Sequence, residues 1–309
     1  MSRPVAVIDV GSNSIKLLVA RMGSDGILQT EFSQTVETRI SEGISRNLPY
    51  LKKEAMNSGI DTINELLQQT RKFKPANVVI VATSAVRDAI NGMDFIDTVE
   101  EATGIEMRLL TGTEEATYIG KGLACDPAVI HTPSFIQMDI GGGSLELIQF
   151  KDSKIEKVIS LRLGAVRLSE RFIPDLQRPI SKHAETAIHA FVTAELTQSE
   201  FSFSPKTLPL IATGGAFVAS RAVLAAEANV EIDDFADKLK YKDLEALKTR
   251  LCSMSVHGRL AVPHLPGSRA DIIPAALITI LAVLKHAERT ELIHSFYNLR
   301  YGVAAELLR

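Results

Sequence analysis

A chain of 309 residues, 46% hydrophobic and 23% charged, has the length for two domains and ample core. Its net charge of −3 gives no support for nucleic-acid binding, because a long polyanion would then need a local basic path. Two cysteines, Cys125 and Cys252, make neither a disulfide framework nor a metal-ligand spacing, and both read as buried thiols of a reducing cytoplasm. The longest apolar stretch, Ile272 to Leu284, is too short to span a bilayer, so no membrane partner is expected. No signal peptide is visible, since Met1-Ser2-Arg3-Pro4 runs straight into the first strand.

The first pattern is Val7-Ile8-Asp9-Val10-Gly11-Ser12-Asn13-Ser14, leading into Ile15 to Val19. It reads as strand, tight turn, strand. Gly26 to Val36 reads as another strand and Thr38 to Ile44 as a polar connection. Lys53 to Lys72 carries an apolar stripe at Met56, Ile60, Ile63 and Leu67, the spacing of an amphipathic helix. Val78 to Val81 is a continuous apolar run suited to a buried parallel strand.

Next comes Ala82-Thr83-Ser84-Ala85-Val86-Arg87-Asp88-Ala89. Thr83 or Ser84 suits the cap of a helix, with Arg87 in its first turn. A cation there opposes the helix dipole, which implies a partner, either a phosphate or a carboxylate. A helix from Asp94 to Thr103 ends at Gly104, a strand spans Ile105 to Leu110, and Thr113 is the expected cap of the helix that follows. Glu114 and Glu115 sit in that helix's first turn. The dipole alone explains acids there, and a water-positioning carboxylate explains them equally; spacing does not choose between the two residues.

The segment Cys125 to Pro133 reads as the crossing between domains, dividing the chain into 1–125 and 126–309, with the last helix, about 298–309, available to return to the first domain. The opening pattern then repeats as Phe135-Ile136-Gln137-Met138-Asp139-Ile140-Gly141-Gly142-Gly143-Ser144-Leu145-Glu146-Leu147. Both copies read Asp, aliphatic, Gly, two residues, Ser, aliphatic, charged, Leu. Alternation after each turn argues for a second strand. Three successive glycines cost backbone entropy, and they leave no Cβ between the backbone N–H groups and an incoming anion. The economical reading is a duplicated domain with two phosphate hairpins facing a cleft. A dinucleotide-binding domain is disfavoured, because there a helix follows the glycine turn.

Further on, Ile155 to Leu161 reads as a strand and Gly164-Ala165-Val166-Arg167-Leu168 starts a helix. Ser181 to Glu200 is a long amphipathic helix, and Leu208 to Gly215 is a third strand entering a glycine turn, which either closes over a ligand or simply ends a strand. Glu227 to Leu239 is a polar surface insertion, Tyr241 to Met254 and Arg269 to Ala287 are helices, and Leu292 to Phe296 is a strand before the closing helix. Arg300 in that helix reads as a buried structural cation, and the seven histidines show no metal-site spacing. The apolar helices suit a homodimer face and core packing equally.

The duplicated Asp-x-Gly hairpins and the Thr213-Gly214-Gly215 turn resemble the α/β fold of sugar kinases, actin and acetate kinase: two similar actin-like (ribonuclease H-like) domains flanking a cleft, each with a mixed five-stranded sheet. Within that fold the chain resembles the exopolyphosphatase and guanosine pentaphosphate phosphatase family. The matching blocks are Ile8 to Ser14, Ala82 to Ala89, Gly112 to Ala116, Asp139 to Leu147, Leu163 to Leu168 and Arg269 to Pro274. The resemblance implies hydrolysis of terminal phosphoanhydride bonds of inorganic polyphosphate or guanosine pentaphosphate, with Mg²⁺ (or Mn²⁺) as cofactor. It assigns Glu115 as general base. Asp139, Asp9 and Glu146 become the acids of the metal centre. Phosphate contacts fall to Arg87, to Gly11, Ser12, Asn13 and Ser14, and to Gly141, Gly142, Gly143 and Ser144. Leu145, Ala216 and Lys16 depart from the family's usual Thr, hydroxyl residue and Arg, as does the Tyr297 to Gly302 ending. Longer family members carry extra C-terminal helical domains, so a chain without them is expected to prefer long polymer less. The competing readings are a polyphosphate/nucleotide phosphotransferase, which ADP-dependent product formation separates, and a non-catalytic actin-like sensor, which has no need of the glutamate pair.

Overall fold

The computed structural model describes residues 3–44 and 49–309. Met1 and Ser2, read above as leading into the first strand, lie outside the described residues. The chain divides into two compact units, Met1–Thr132 with Tyr297–Arg309, and Pro133–Phe296.

The first unit runs β1 (Val5–Val10), β2 (Ser14–Met22), β3 (Leu28–Glu37), α1 (Lys53–Thr70), β4 (Asn77–Ala82), α2 (Ser84–Asp88), α3 (Gly92–Thr103), β5 (Met107–Leu109) and α4 (Gly112–Leu123). The second runs β6 (Phe135–Ile140), β7 (Leu145–Lys151), β8 (Lys154–Leu161), α5 (Ala165–Phe172), α6 (Lys182–Gln198), β9 (Leu210–Thr213), α7 (Gly215–Glu227), β10 (Lys238–Lys240), α8 (Tyr241–Ser253), α9 (Val256–Leu260), α10 (Ile273–His286) and β11 (Glu291–His294). The closing helix α11 (Leu299–Leu307) packs on α4 of the first unit.

The first sheet has the order β3-β2-β1-β4-β5, and the second β8-β7-β6-β9-β11-β10. In each, three antiparallel strands of a meander are followed by parallel strands, so five strands of one sheet match five of the other. This is the duplicated, actin-like arrangement expected from the repeated hairpin. The second sheet differs by a sixth strand, because Lys238–Lys240, read as the edge of a polar insertion, pairs antiparallel with β11. Only Leu239 of that strand is buried, which is why its polar composition hid it.

Burial follows position in the sheet. Central β1 and β6 are buried at every residue, whereas edge β3 alternates. Helix α10 is buried from Ile273 to Leu284, as a helix apolar on all sides must be. The buried face of α1 is Gly59, Thr62, Ile63, Leu66 and Thr70, rotated from the expected stripe. Met56, Ile60 and Leu67 flank the core, because the Phe95 ring lies against Gly59. Among the described residues no helix is long and apolar enough to cross a membrane.

Candidate functional site

The two hairpins share one geometry. In the first, Asp9 pairs with Lys16 and Val10 with Ile15, and Gly11 N–H donates to Ser14 O at 3.1 Å. In the second, Asp139 pairs with Glu146 and Ile140 with Leu145, and Gly141 N–H donates to Ser144 O at 3.0 Å. Each turn therefore starts one residue after the aliphatic that follows the aspartate. Among the described residues nothing accepts from the N–H groups of Ser12, Asn13, Gly142 or Gly143. Such successive amides suit an anion.

The first turn is tied down on several sides. Asn13 O accepts from Thr38 and Arg39, and Asn13 Nδ2 donates to Glu37. Ser12 Oγ lies 3.1 Å from Ser84 Oγ, which couples the turn to the start of α2. Thr83 occupies the N-cap position of α2 but does not cap it; its hydroxyl donates to Val10 O at 3.4 Å. Helix α2 is only five residues long, so Arg87 stands near its end, not isolated in a long helix's first turn. Its partner is a carboxylate. Arg87 Nη1 donates to Glu115 Oε2 at 2.9 Å and to Leu110 O at 2.8 Å.

The structure separates the two glutamates that spacing left equal. Thr111, not Thr113, caps α4, and Glu114 completes the capping box. Glu114 Oε2 accepts from the Thr111 N–H and hydroxyl, both at 2.9 Å, and Oε1 accepts from Arg108 at 2.6 Å. Those bonds, led by the Thr111 N–H, hold its carboxyl down at about 2. Glu115 is one residue further round the helix, 7% exposed, and turned to Arg87. Glu114 is thus consumed by helix capping, whereas Glu115 sits inside beside a cation.

Around Asp9 the charges balance locally. Lys16 Nζ lies 3.7 Å from its carboxylate. Arg300, buried in the same unit, donates from Nη1 to Leu17 O at 2.9 Å and to Ser33 Oγ at 3.1 Å. Burial lowers the Arg300 pKa while Asp9 raises it, in keeping with a structural cation behind the hairpin.

In the second unit the carbonyl side of the turn is held by the start of α5. Gly141 O accepts from Ala165, and Gly142 O from Val166 and Arg167, at 2.9 to 3.1 Å. Arg167 Nε donates to Gly143 O at 2.9 Å. Gly164 lies so close that a Cβ there would meet Gly142 and Gly143 backbone atoms at 2.4 Å. Asp139, 8% exposed, accepts from the Thr213 hydroxyl. Glu146, 1% exposed, accepts from Ser160 Oγ at 2.7 Å. The third glycine turn joins this half of the site. Gly214 has φ +111°, and a Cβ on it would meet Ile140 O at 2.6 Å and Asp139 Oδ1 at 3.2 Å. Gly215 opens α7 directly against the guanidinium of Arg269, whose Nη2 would be 2.2 Å from a Cβ there.

Sequence reading assigned no site role to Thr213, Ser160 or Arg269. A hydroxyl at the end of β9 and a cation inside a matching block were the available signals. Their spacing to Asp139 spans 74, 21 and 130 positions, and only the parallel β6–β9 register connects the first of them to it. Among the described residues no group of three or more His, Cys, Asp or Glu side chains forms a metal cage. Asp139 and Glu146 are directly opposed on antiparallel strands, an unfavourable like-charge pairing that a hard cation relieves. One or two carboxylates, with waters and substrate phosphates, is the donor set Mg²⁺ ordinarily takes. Asp9, already beside Lys16, fits that role less well.

A duplicated α/β chain whose units each place an aspartate ahead of an amide-rich turn, one of them beside a half-buried arginine paired with a buried glutamate, has the build of a phosphate-handling protein. A profile of the Ppx/GppA phosphatase family matches residues 18–309, and the chain belongs to that family. It is 29% identical over 311 residues to a guanosine-5'-triphosphate,3'-diphosphate pyrophosphatase of Vibrio atlanticus (strain LGP32). That match covers 98% of this chain and 59% of the relative, so the chain spans about three-fifths of the curated relative's length. A crystal structure of an exopolyphosphatase from Cytophaga hutchinsonii superposes with TM-score 0.87 at 24% identity, covering 99% of this chain and 97% of that one. A Ppx/GppA family member from Aquifex aeolicus superposes with TM-score 0.79 at 25% identity, covering 99% and 97%.

Proposed function

We propose that the chain hydrolyses terminal phosphoanhydride bonds of inorganic polyphosphate or of guanosine pentaphosphate, with Glu115 as general base. The observation that carries this reading is the division of labour at the start of α4. Glu114 is spent on the cap, and Glu115 is buried against Arg87 at 2.9 Å. A general base must be held in one orientation near its water, and Arg87 does that for Glu115.

In the proposed reaction, Glu115 accepts a proton from water as the water oxygen bonds to the terminal phosphorus. The bridging P–O bond breaks, and inorganic phosphate leaves a chain one phosphate shorter. The amides of Ser12, Asn13, Gly142 and Gly143 donate to phosphate oxygens, and Ser14 and Ser144 close the two turns that aim them. Arg87 turns part of its guanidinium to the substrate while keeping Glu115 in place. Asp139 and Glu146 would hold Mg²⁺, which supplies positive charge to the phosphoryl oxygens. Thr213 and Ser160 orient those two carboxylates. Phosphoryl transfer to water needs little beyond such positioning and charge neutralisation.

Phosphate release from long-chain polyphosphate and from guanosine pentaphosphate, each with Mg²⁺ and after chelation, tests the reaction class. Release that stops on chelation and returns with Mg²⁺ or Mn²⁺ supports it. Product formation only when ADP is supplied would replace hydrolysis by phosphotransfer.

A further inference from the structure

A second concentration of charge lies in the second unit and shares no residue with either turn. Helices α6, α8 and α10 line an open cavity of about 430 Å³ between Lys182, Tyr241 and Lys285. That volume falls in the range of small-molecule sites. Its floor is apolar, from Ile278 and Leu281, and its rim carries three lysines and a histidine.

The charges are not equivalent. Lys248 is buried and paired with Glu185, which also takes Lys182 at 2.8 Å. Among the described residues Lys285 has no ion-pair partner. On α8, burial raises the Tyr241 pKa first, and the charge of Glu245 raises it further. Two helices open at this cavity, α6 of 17 residues and α8 of 13, and both N-termini add positive potential. His189 sits among these groups. Burial lowers its pKa first, then Lys285 and Lys248, with Glu185 alone opposing them.

We propose that this cavity binds a small organic anion, its charged group between Lys285 and Lys248 beside His189 and its apolar part on Ile278 and Leu281. The excess of cations selects the charge, and the apolar floor selects a body larger than a bare inorganic ion. A phosphate ester and a carboxylate share that chemistry, and the test separates them. The site stands whether or not the hydrolase reading holds, because its readout is binding.

The groups facing His189 are Lys182 and Glu185 on its own helix, Tyr241, Glu245 and Lys248 on α8, and Lys285 on α10. An anion bound among them must raise the His189 pKa. The experiment follows the His189 ring resonance by NMR against pH, identified by its loss in His189→Gln. The probes are adenosine monophosphate, adenosine, inorganic phosphate and butyrate. Adenosine monophosphate is expected to raise the pKa by on the order of one unit, as an opposite charge within about 5 Å does. Inorganic phosphate should act only at higher concentration, and adenosine not at all. A butyrate response stronger than that of adenosine monophosphate assigns the site to carboxylates. Lys285→Ala should raise the His189 pKa of the free protein and abolish the ligand-induced rise. No movement with any anion through about 10 mM, the range of a weak site, would overturn the proposal. So would an undiminished response in Lys285→Ala, which would place the anion elsewhere.

Discussion

Replacing Glu114 by Ala should cost stability at neutral pH, cost less in acid, and leave catalysis nearly intact. The substitution removes the Glu114 side-chain half of the capping box and the Arg108 ion pair, while the backbone N–H of residue 114 still donates to the Thr111 hydroxyl. The Glu114 carboxyl falls from 4.5 to about 2 in the folded chain. At 1.36 kcal/mol per tenfold, that converts to a ceiling of about 3.4 kcal/mol. The side chain is 39% exposed, so solvent screening reduces the figure to about 1–1.5 kcal/mol, in line with the ordinary worth of a cap. Because the folded pKa is depressed, this stabilisation is fully present above the unfolded pKa of 4.5 and is lost as pH falls toward about 2. The assay is urea unfolding followed by far-UV circular dichroism, since the chain contains no tryptophan to report by emission. Glu114→Ala should unfold earlier than the parent at pH 7, and the gap should narrow by pH 3. An equal gap at both pH values would refute the capping argument. Loss of phosphate release as deep as that of Glu115→Gln would refute the division of roles between the two glutamates.

Other outcomes follow from close contacts. Gly302→Ala would drive a Cβ to 1.9 Å from Tyr118 O in the α4–α11 packing, so thermal unfolding should show a loss of about 2 kcal/mol or more. Gly164→Ala would push on Gly142 and Gly143 from 2.4 Å. A displaced turn should lower kcat/KM for phosphate release by on the order of 10²-fold, with a smaller effect on Tm; unchanged kinetics would mean the second turn does not touch substrate. Burial pushes the Cys252 thiol up to about 11 from 9. Alkylation of the native chain at pH 8 should therefore run about 100-fold slower there than at a free thiol, and equal rates would contradict that burial.

The hairpins were legible because two local rules coincide in each: period-two alternation and a glycine turn. Once Asp9 and Asp139 were aligned, the matching sheet orders followed from duplication. The α4 cap was also legible in principle, since Thr111-x-x-Glu114 fits the capping box. Thr113 drew attention because it sits next to the glutamates, although Gly112 is already helical. What stayed hidden depends on partners distant in sequence. Arg87 announced a need for an anion, but its choice of Glu115 rests on how α2 and α4 meet beside Leu110. Arg259 and Arg300 are buried on carbonyls and hydroxyls from remote strands and loops, which no local pattern records. Thr213 reaches Asp139 only through the parallel pairing of β6 with β9.

The most direct test compares phosphate release by the parent chain and Glu115→Gln, with Mg²⁺ and with either substrate. Gln keeps the shape and the Arg87 contact but cannot take a proton, so the rate should fall by on the order of 10²–10⁴-fold while KM changes little. A rate within a few-fold of the parent's would mean that Glu115 is a structural partner of Arg87 and that another group activates the water.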